Sequence, residues 1–364
     1  MIINTTKKLL FIGADPAFKD STTSGGQGTA SRALIEHAVA NGVEVFIVDT
    51  SQSHMEVVSK IYKIRRAVRR FRLLFSLLKQ HKFDSAIIFS SSGMSYVEKS
   101  LMAFVCQKSG TPVTMCMRSG HFQNQCEHKK MWRRVYAVLS GIPTRHVVQG
   151  EAWKKLFKTL GVPDANIDIA RNWPRNYVKL RETPKKEPKE LSFLFVGWVV
   201  LEKGMFELLE AVGNSEKLRR TKINIVGNGS FMEGAVNICR EKELHNVLFH
   251  GNIPHKDVLS FYENSDVLVL PSYAEGFPNV IVEALYYGLP VISTDVGAIT
   301  DSVMHYENGI IVEKGDAVSL QKAMELFVDS PEVIPNFSIR SLEIANSLHK
   351  REENCNVFLS GLGF

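Results

Sequence analysis

The stretch that most constrains the fold is residues 267–294, which predict a strand, a glycine-bearing loop, a helix and a second strand in turn. Residues 267–270 form a short apolar run bounded by Pro271, which is typical of a buried strand. The helix is predicted at residues 280–287, and the next strand begins at Val291. Such a βαβ unit predicts an α/β fold with a parallel sheet. It also places backbone N–H groups at a helix N-terminus, where an anion binds well.

Two carboxylates flank the predicted N-terminus of this helix. Glu275 lies in the loop just before Gly276, and Glu283 follows eight positions later, inside the helix. Asn279 and Glu283 are four positions apart, so they share one helix face, from which Glu283 can accept hydrogen bonds from the vicinal hydroxyls of a sugar. A phosphate on the helix N-terminus with a carboxylate on either side describes a nucleotide-sugar site. The alternative is an ordinary α/β unit whose two glutamates are surface residues.

Residues 271–297 resemble the E-x7-E motif of the retaining glycosyltransferases of family 4, within group 1 of the glycosyl transferases. The resemblance implies the GT-B fold, an α/β architecture in which two Rossmann-like domains have parallel sheets facing a central crevice. It implies an N-terminal acceptor-binding domain at residues 1–172 and a C-terminal donor-binding domain at residues 173–338. Residues 339–364 would then form a C-terminal helix that packs back on the N-terminal domain.

Other positions of the C-terminal half match the family's donor site. Lys203 lies in E-K-G and matches the lysine expected to contact the donor diphosphate, whereas Trp198 stands where the family usually has arginine. Gly227 matches the family's G-x-G turn, and Ile253 ends a predicted strand that commonly borders the nucleotide base. The resemblance therefore implies the following donor-binding residues: Gly26, Lys203, Gly227, Ile253, Gly276, Phe277, Asn279, Val280 and Glu283.

Three further candidates come from the N-terminal half. Gly26 belongs to a glycine pair that matches the one used by the family near the donor phosphates and the acceptor, although the fingerprint G-x-G-x-x-G is absent. Arg118 and His121 follow a predicted strand at residues 112–117, and ligands of open α/β sheets lie beyond the carboxyl ends of strands. We therefore expect both side chains to line the crevice near the transferred sugar. With Glu275 they complete the expected catalytic set.

Residues 56–82 predict a basic amphipathic helix. Its basic residues are Lys60, Lys63, Arg65, Arg66, Arg69, Arg70, Arg72, Lys79 and Lys82. Its apolar residues recur every three or four positions at Ile61, Ile64, Val68, Phe71, Phe75 and Leu78. One interpretation is a helix that binds the surface of an anionic membrane. The alternatives are a core-packing helix with a solvated basic face and a nucleic-acid-binding helix, although no nucleic-acid motif accompanies it.

Length and composition agree with a two-domain protein that meets a membrane only from its surface. The chain has 364 residues, a formal net charge of +6 and no apolar run that approaches the ~20 residues of a membrane span. Its five cysteines form no C-x-x-C pair, so we expect buried, reduced thiols in a cytoplasmic protein. We expect it at the inner face of the cytoplasmic membrane. Residues 179–190 are polar and contain proline, which indicates a linker or surface loop.

The predicted chemistry is the transfer of a sugar from a nucleotide-sugar donor, a UDP-sugar in preference to a GDP-sugar, to a glycan or lipid-linked glycan acceptor. The resemblance implies retention of anomeric configuration, with Glu275 stabilising positive charge on the sugar. The sequence lacks D-x-D, so we expect neither a metal nor another cofactor, and we expect no nucleic-acid partner. The alternatives are a nucleotide-sugar epimerase of the same fold and a non-catalytic membrane-surface binding protein.

Overall fold

The computed structural model describes residues 6–15, 26–51, 60–175 and 177–362, and the chain divides into two compact units. The first unit contains Met1–Arg175 together with Arg351–Phe364, and the second contains Asn176–Lys350. Each unit has helices around one parallel sheet of six strands. The predicted α/β fold with two Rossmann-like domains is confirmed.

The first unit alternates strands and helices along the chain. Its strands are β1 (Lys8–Gly13), β2 (Glu44–Asp49), β3 (Ser85–Ser90), β4 (Val113–Met117), β5 (Arg145–Val148) and β6 (Ile167–Ile169). Its helices before residue 175 are α1 (Gly26–Ala40), α2 (Lys60–Gln80), α3 (Met94–Lys108), α4 (His121–His128), α5 (Lys130–Leu139) and α6 (Glu151–Thr159). The sheet order is β2-β1-β3-β4-β5-β6, and every pair is parallel. Strand β3 is buried along its whole length, which explains its nearly continuous apolar sequence.

The second unit repeats this alternation. Its strands are β7 (Ser192–Val196), β8 (Lys222–Val226), β9 (Val247–Gly251), β10 (Val267–Leu270), β11 (Val291–Thr294) and β12 (Gly309–Val312). Its helices are α7 (Met205–Gly213), α8 (Met232–Glu241), α9 (His255–Asn264), α10 (Asn279–Tyr286), α11 (Ala317–Asp329) and α12 (Ile334–Leu348). The sheet order is β12-β11-β10-β7-β8-β9, again with every pair parallel.

The strand order of the second unit reverses between β7 and β10. Strands β8 and β9 extend the sheet on one side of β7, whereas β10, β11 and β12 extend it on the other. Ligands of open α/β sheets bind beyond the carboxyl ends of the strands at such a reversal. The loops that follow β7 and β10 are therefore the place where this topology favours a binding site.

The last segment of the chain is divided between the two units. Residues 339–348 belong to α12, which ends at Leu348, and a separate helix, α13 (Arg351–Leu359), belongs to the first unit. Phe358 of α13 is buried in the core of the first unit beside Phe89, with 5.6 Å between the ring centroids. The segment that returns to the first unit therefore begins at Arg351, and not at residue 339 as expected from the sequence.

Residues 179–190 were predicted as a linker or surface loop, but they contain a buried side chain. Lys185 is only 7% exposed, and its ammonium donates hydrogen bonds to the carbonyls of Tyr262, at 3.1 Å, and Glu263. Burial lowers the pKa of Lys185 to about 8. This segment therefore packs against α9 and is not a free linker.

All five cysteines are free thiols. Cys106, Cys116, Cys126 and Cys355 are buried, as expected, whereas Cys239 is only partly buried and departs from that expectation. Burial raises the pKa of Cys106, Cys126 and Cys355 to about 12 and that of Cys239 to about 11. Raised thiol pKa values disfavour the reactive thiolate, and the buried cysteines act as small core residues.

Candidate active site

Lys203 and Glu275 meet at the reversal of the second sheet. Lys203 ends a short 3-10 turn (Leu201–Lys203) after β7, and Glu275 lies in the loop after β10. The ammonium of Lys203 forms an ion pair with Oε1 of Glu275, and the hydroxyl of Ser272 donates to the same oxygen at 2.8 Å. The side chains of Lys203 and Glu275 are 23% and 10% exposed. A cation and a carboxylate predicted from separate motifs therefore form one partly shielded cluster.

Gly204 allows these two loops to approach each other. It has a φ of +72°, and a Cβ at this position would lie 2.1 Å from the carbonyl oxygen of Pro271. The loops are also joined by a hydrogen bond from the N–H of Tyr273 to the carbonyl of Glu202, at 2.9 Å. The hydroxyl of Tyr273 donates to Glu207 at 2.6 Å, and this bond raises the pKa of Tyr273 to about 12. Lys203 and Glu275 are thus held by backbone packing and by bonds on both loops.

A second close approach lies between the loops after β7 and β8. Gly227 has a φ of +140°, and a Cβ there would lie 1.8 Å from the carbonyl oxygen of Gly197. Only glycine fits, so main chain lies against main chain with no side chain between. Gly227 was predicted as part of the donor site, and this geometry gives a physical reason for the glycine.

The loop that carries Glu275 is supported from behind by residues 297 and 298. A Cβ at Gly297 would lie 2.3 Å from the carbonyl oxygen of Glu275, and the N–H of Ala298 donates to the carbonyl of Gly276 at 3.1 Å. Phe277 is 5% exposed, and its ring lies 5.3 Å from that of His349. Phe277 is therefore a packing residue of this loop, and its side chain is not presented as part of a donor surface.

The N-terminus of α10 follows directly. Pro278 occupies the N-cap position, and proline offers no side-chain acceptor to the N–H groups of the first helical turn. Asn279 and Val280, both predicted donor-binding residues, are partly exposed in this turn together with Gly276 before it. The positive end of the helix dipole and these N–H groups suit a phosphate.

Glu283 is placed differently from the sequence expectation. It is buried at 2% exposure, whereas the sequence indicated a carboxylate facing a crevice. Its Oε1 lies 2.7 Å from Nε2 of His255, and its Oε2 accepts a hydrogen bond from the hydroxyl of Tyr262 at 3.1 Å. Both partners lie on α9, and the sequence had indicated neither of them as site residues.

Two predicted positions border this edge of the sheet. Trp198 follows Gly197 at the end of β7 and is 59% exposed. Ile253 lies two residues beyond β9 and is partly exposed. An exposed indole at this edge has no cation to offer a phosphate, but it can stack on a ring.

In the first unit, Arg118 follows β4 and His121 is the first residue of α4. Arg118 Nη2 donates to Oδ1 of Asn172 at 2.7 Å, and Nε2 of Gln149 donates to the same oxygen at 2.8 Å. The guanidinium of Arg118 also lies 5.1 Å from the ring of Phe89. His121 is exposed, and Asn172 and Gln149 were not among the predicted site residues.

Gly26, one of the predicted glycine pair, is the first residue of α1. The other glycine of the pair, Gly25, lies outside the described residues, as do residues 56–59 of the basic stretch. No group of three or more His, Cys, Asp or Glu side chains suited to a metal occurs in the described ranges. Within those same ranges, no helix combines the length and the apolar character needed to cross a membrane.

Helix α2 presents an apolar stripe to solvent. Ile61 is 65% exposed, Ile64 63%, Val68 46% and Phe75 50%, whereas Leu74 is fully buried. These four exposed residues recur at intervals of three, four and seven positions, so they share one helix face. The other two of the six predicted apolar residues, Phe71 and Leu78, are partly buried. The core-packing interpretation is therefore wrong for the four exposed residues.

Not every basic residue of α2 faces solvent freely. Arg70 forms an ion pair with Glu98 of α3, with its Nη2 2.6 Å from the carboxylate, and Arg66 donates to the carbonyl of Ser51. The exposed basic residues of the described part of the helix are Lys63, Arg65, Arg69, Arg72 and Lys79. Of these, Arg65, Arg72 and Lys79 flank the apolar stripe by helical spacing.

Comparison with known proteins identifies the family. The family model "Glycosyl transferases group 1" matches residues 178–341. The capsular polysaccharide biosynthesis glycosyltransferase CapM of Staphylococcus aureus is 32% identical over 351 residues, which cover 89% of this chain and 88% of CapM. The chain belongs to the group 1 glycosyl transferases. The first curated relatives match a shorter part of this chain, and the chain spans only 39–52% of their length.

Solved structures agree with the fold. The sucrose-phosphate synthase of Thermosynechococcus elongatus superposes with a TM-score of 0.77 at 18% identity, covering 97% of this chain and 98% of that chain. The HepE protein of Anabaena in complex with UDP-glucose gives a TM-score of 0.72 at 16% identity, covering 98% and 99%. At these identities the likeness establishes the fold alone, and that fold is GT-B.

Proposed function

We propose that this protein is a retaining glycosyltransferase of family 4 that moves a sugar from a nucleoside diphosphate to a glycan or lipid-linked glycan acceptor in cell-surface polysaccharide synthesis. The observation that carries the proposal is the Lys203–Glu275 ion pair at the reversal of the second sheet. The similarity to CapM, which is named for capsular polysaccharide biosynthesis, supports the class of product. The similarity in fold to HepE, solved with UDP-glucose, favours a UDP-sugar over a GDP-sugar.

Lys203 neutralises the leaving diphosphate in this proposal. Departure of a nucleoside diphosphate builds negative charge on its phosphates, and a fixed cation with helix N–H groups stabilises that charge. Before the donor binds, the ammonium is paired with Glu275. The diphosphate therefore joins an ammonium that is already in place, so little of the binding free energy is spent on ordering a long side chain. The sequence has no D-x-D pattern, and we propose turnover without a metal.

Glu275 stabilises the positive charge that develops on the donor sugar. Its Oε1 already accepts bonds from Lys203 and Ser272, which lowers its reactivity as a nucleophile and holds it in position. We therefore assign it an electrostatic role and not a covalent one. Retention of configuration then follows because the acceptor attacks the same face of the sugar from which the diphosphate departs.

Glu283 is proposed to hold the donor ribose. A carboxylate has about four acceptor positions, and His255 and Tyr262 use two of them. The remaining capacity suits a vicinal diol. The proposed donor site of the second unit is completed by Gly227, Ile253, Gly276, Phe277, Asn279 and Val280, with Phe277 acting through its packing.

An anionic membrane surface is the proposed partner of α2. Exposure to water is unfavourable for the apolar stripe of Ile61, Ile64, Val68 and Phe75. Basic residues lie beside this stripe, at Arg65, Arg72 and Lys79. A solvated helix face would be polar throughout, so apolar and basic side chains together favour an interfacial helix. We place the protein at the inner face of the cytoplasmic membrane, where lipid-linked acceptors are accessible. Nucleic acid is the weaker candidate because it would not explain the apolar stripe.

Two other functions, an epimerase and a non-catalytic binding protein, are distinguished by the experiment below. An epimerase of this fold would need an acid and a base on the sugar, and the Lys203–Glu275–Ser272 cluster suits a leaving diphosphate better. A non-catalytic membrane-binding protein would have no need for that cluster, although Trp198 in place of arginine is compatible with it.

The deciding experiment incubates the purified protein with a panel of UDP- and GDP-sugars, with and without anionic vesicles that contain lipid-linked acceptor. We expect release of nucleoside diphosphate, a product heavier than the acceptor by one glycosyl unit by mass spectrometry, and an unchanged anomeric configuration by NMR. Conversion of one nucleotide-sugar into its epimer with no diphosphate release would identify the epimerase instead. Vesicle binding with neither reaction would identify the non-catalytic protein.

A further inference from the structure

Helix α9 holds the carboxylate of Glu283 from both sides. His255, its first residue, contacts Oε1 at 2.7 Å, and Tyr262 donates to Oε2 at 3.1 Å. The two residues are seven positions apart, so two helical turns separate them and they share one face of α9. One helix therefore fixes both oxygens of a single glutamate on α10.

His255 is itself held on its other side. The hydroxyl of Tyr177 lies 2.7 Å from Nδ1 of His255, so both ring nitrogens of the imidazole have partners. An ionised carboxylate only accepts hydrogen bonds, so Nε2 carries a proton and donates it to Glu283. The hydroxyl of Tyr177 holds the ring from its Nδ1 side. The chain Tyr177–His255–Glu283–Tyr262 is complete without any added group.

The C-terminal end of α9 is also anchored. The ammonium of Lys185 donates to the carbonyls of Tyr262 and Glu263, in the last turn, where a cation is favourable to the helix dipole. Tyr262 is fully buried, and its ring stacks on that of Tyr287 at 5.8 Å between centroids. The position of the Tyr262 hydroxyl is thus set by packing on several sides.

We infer that His255 is a positioning residue for Glu283: with Tyr262 it fixes the carboxylate so that its remaining acceptor positions meet the ribose hydroxyls of the donor. This inference rests on the proposed function, in which Glu283 holds the ribose. A buried carboxylate without these two donors would rotate or lose its charge, because burial of an unpaired charge is costly. The side chain of Glu283 is 3% exposed and that of His255 21%.

Two amide variants of His255 distinguish a role in positioning Glu283 from a general role in stabilising the fold. His255→Gln places an amide nitrogen near the position of Nε2 and can still donate to Glu283. His255→Asn is shorter, reaches only the position of Nδ1 and leaves Oε1 without its donor. The exposed His245, on the same unit, provides the control pair His245→Gln and His245→Asn.

The measurement is the dissociation constant of UDP and of 2′-deoxy-UDP for each folded variant by calorimetry, with GDP and 2′-deoxy-GDP if UDP does not bind. Loss of one of the ribose hydroxyls should weaken binding to the native protein about tenfold. In His255→Asn the two nucleotides should bind almost equally, because UDP alone loses affinity. His255→Gln and both control variants should keep the native preference for the ribonucleotide. If His255→Asn does not fold, Tyr262→Phe replaces it and should reduce the same preference.

The possible failures point to different conclusions. An unchanged ribose preference in His255→Asn overturns the positioning role and leaves the proposed function intact. Equal weakening of both nucleotides in His255→Asn also overturns it, since that is the result of general loosening. Equal binding of ribo- and deoxyribonucleotide to the native protein removes the ribose role of Glu283 itself. Failure of the native protein to bind any nucleoside diphosphate overturns the proposed function and this inference with it.

Discussion

The ammonium of Lys203 contacts the carboxylate of Glu275 although the two residues are 72 positions apart in the chain. The contact joins the loops that follow β7 and β10, which are neighbours only because the strand order reverses between them. The group proposed to bind the diphosphate and the group proposed to act on the sugar are therefore coupled before any donor arrives. Substitution of one should change the surroundings of the other.

Replacement of Lys203 by methionine should weaken donor binding. Lys203→Met keeps the length of the side chain and removes a charge-assisted hydrogen bond worth ~1.5–3 kcal/mol, which corresponds to about 10- to 100-fold in the dissociation constant of UDP. Calorimetry with UDP measures this change. Lys217→Met is the control, because Lys217 pairs with Asp329 on an exposed surface of the same unit. Native affinity for UDP in folded Lys203→Met would remove Lys203 from the phosphate site.

Helix α2 should bind anionic vesicles through its exposed basic residues. Changing Arg65, Arg69, Arg72 and Lys79 to glutamine should reduce co-sedimentation with the vesicles. The free energy of binding should weaken by up to about 4 kcal/mol at low salt, since each charge near such a surface contributes ~1 kcal/mol. Arg66 and Arg70 are excluded because they bond within the first unit. Binding should also weaken as salt rises.

The matched control for α2 neutralises four exposed basic residues of the second unit: Arg220, Lys222, Arg240 and Lys322. This control has the same net charge as the α2 variant and should sediment like the native protein. Equal loss in both variants would mean that net charge, and not the helix, attracts the vesicle. No loss in either would leave α2 as a solvated surface helix.

Turnover should persist without divalent metal. Lys203 and the N–H groups at the start of α10 are proposed to neutralise the leaving diphosphate, so dialysis against EDTA should leave the rate of diphosphate release unchanged. Magnesium or manganese added afterwards should give no increase. A rate that disappears with EDTA and returns with either ion would refute the metal-independent mechanism while leaving the transferase reaction in place.

His146 should make the first unit sensitive to acid. Burial lowers the pKa of His146 from 6.5 to about 4, and its Nε2 lies 2.8 Å from the carbonyl of Ser140. Between pH 6.5 and 4 the unfolded chain binds the proton more readily. The native state therefore has its full stability above pH 6.5 and loses about 3 kcal/mol as the pH falls toward 4. Urea unfolding against pH should show this loss in the native protein and a smaller one in His146→Gln.

The exposed His128 supplies the control for this acid effect. His128→Gln should unfold with the pH dependence of the native protein. Should His146→Gln show the native pH dependence as well, His146 is not the group responsible for any acid sensitivity.

The sequence was a good guide to the strands because parallel strands covered on both faces give continuous apolar runs. Strand β10 was predicted at the residues where it occurs, Val267–Leu270. Helix α4 was missed: only Phe122 and Cys126 of its eight residues are buried, so its apolar periodicity is weak. The break at His349 was also missed, since helical spacing continues across it.

The candidate site was predictable in part. Lys203 and Glu275 could be named from their motifs, and the reversal of strand order explains why they meet. The burial of Glu283 could not be foreseen, because His255 and Tyr262 reach it from a different helix through tertiary packing. The seven-residue spacing of that histidine and tyrosine was the one available signal. Ser272, beside Glu275, had no distinguishing pattern.

The most direct test of the central claim is the substitution Glu275→Gln, which keeps the shape of the side chain and removes its charge. Positive charge builds on the sugar only as the diphosphate departs, so the carboxylate acts mainly in the transition state. The exposed Glu202, next to Lys203, provides the control Glu202→Gln.

The quantities to measure on both variants are the single-turnover rate of transfer and the dissociation constant of the donor. In Glu275→Gln we predict a rate at least ~100-fold lower, about 2.7 kcal/mol of barrier. Donor affinity should hardly change, because Lys203 remains available to the diphosphate, and Glu202→Gln should match the native protein in both. A native rate in Glu275→Gln, or a loss of rate matched by an equal loss of donor affinity, would contradict the proposed role of Glu275.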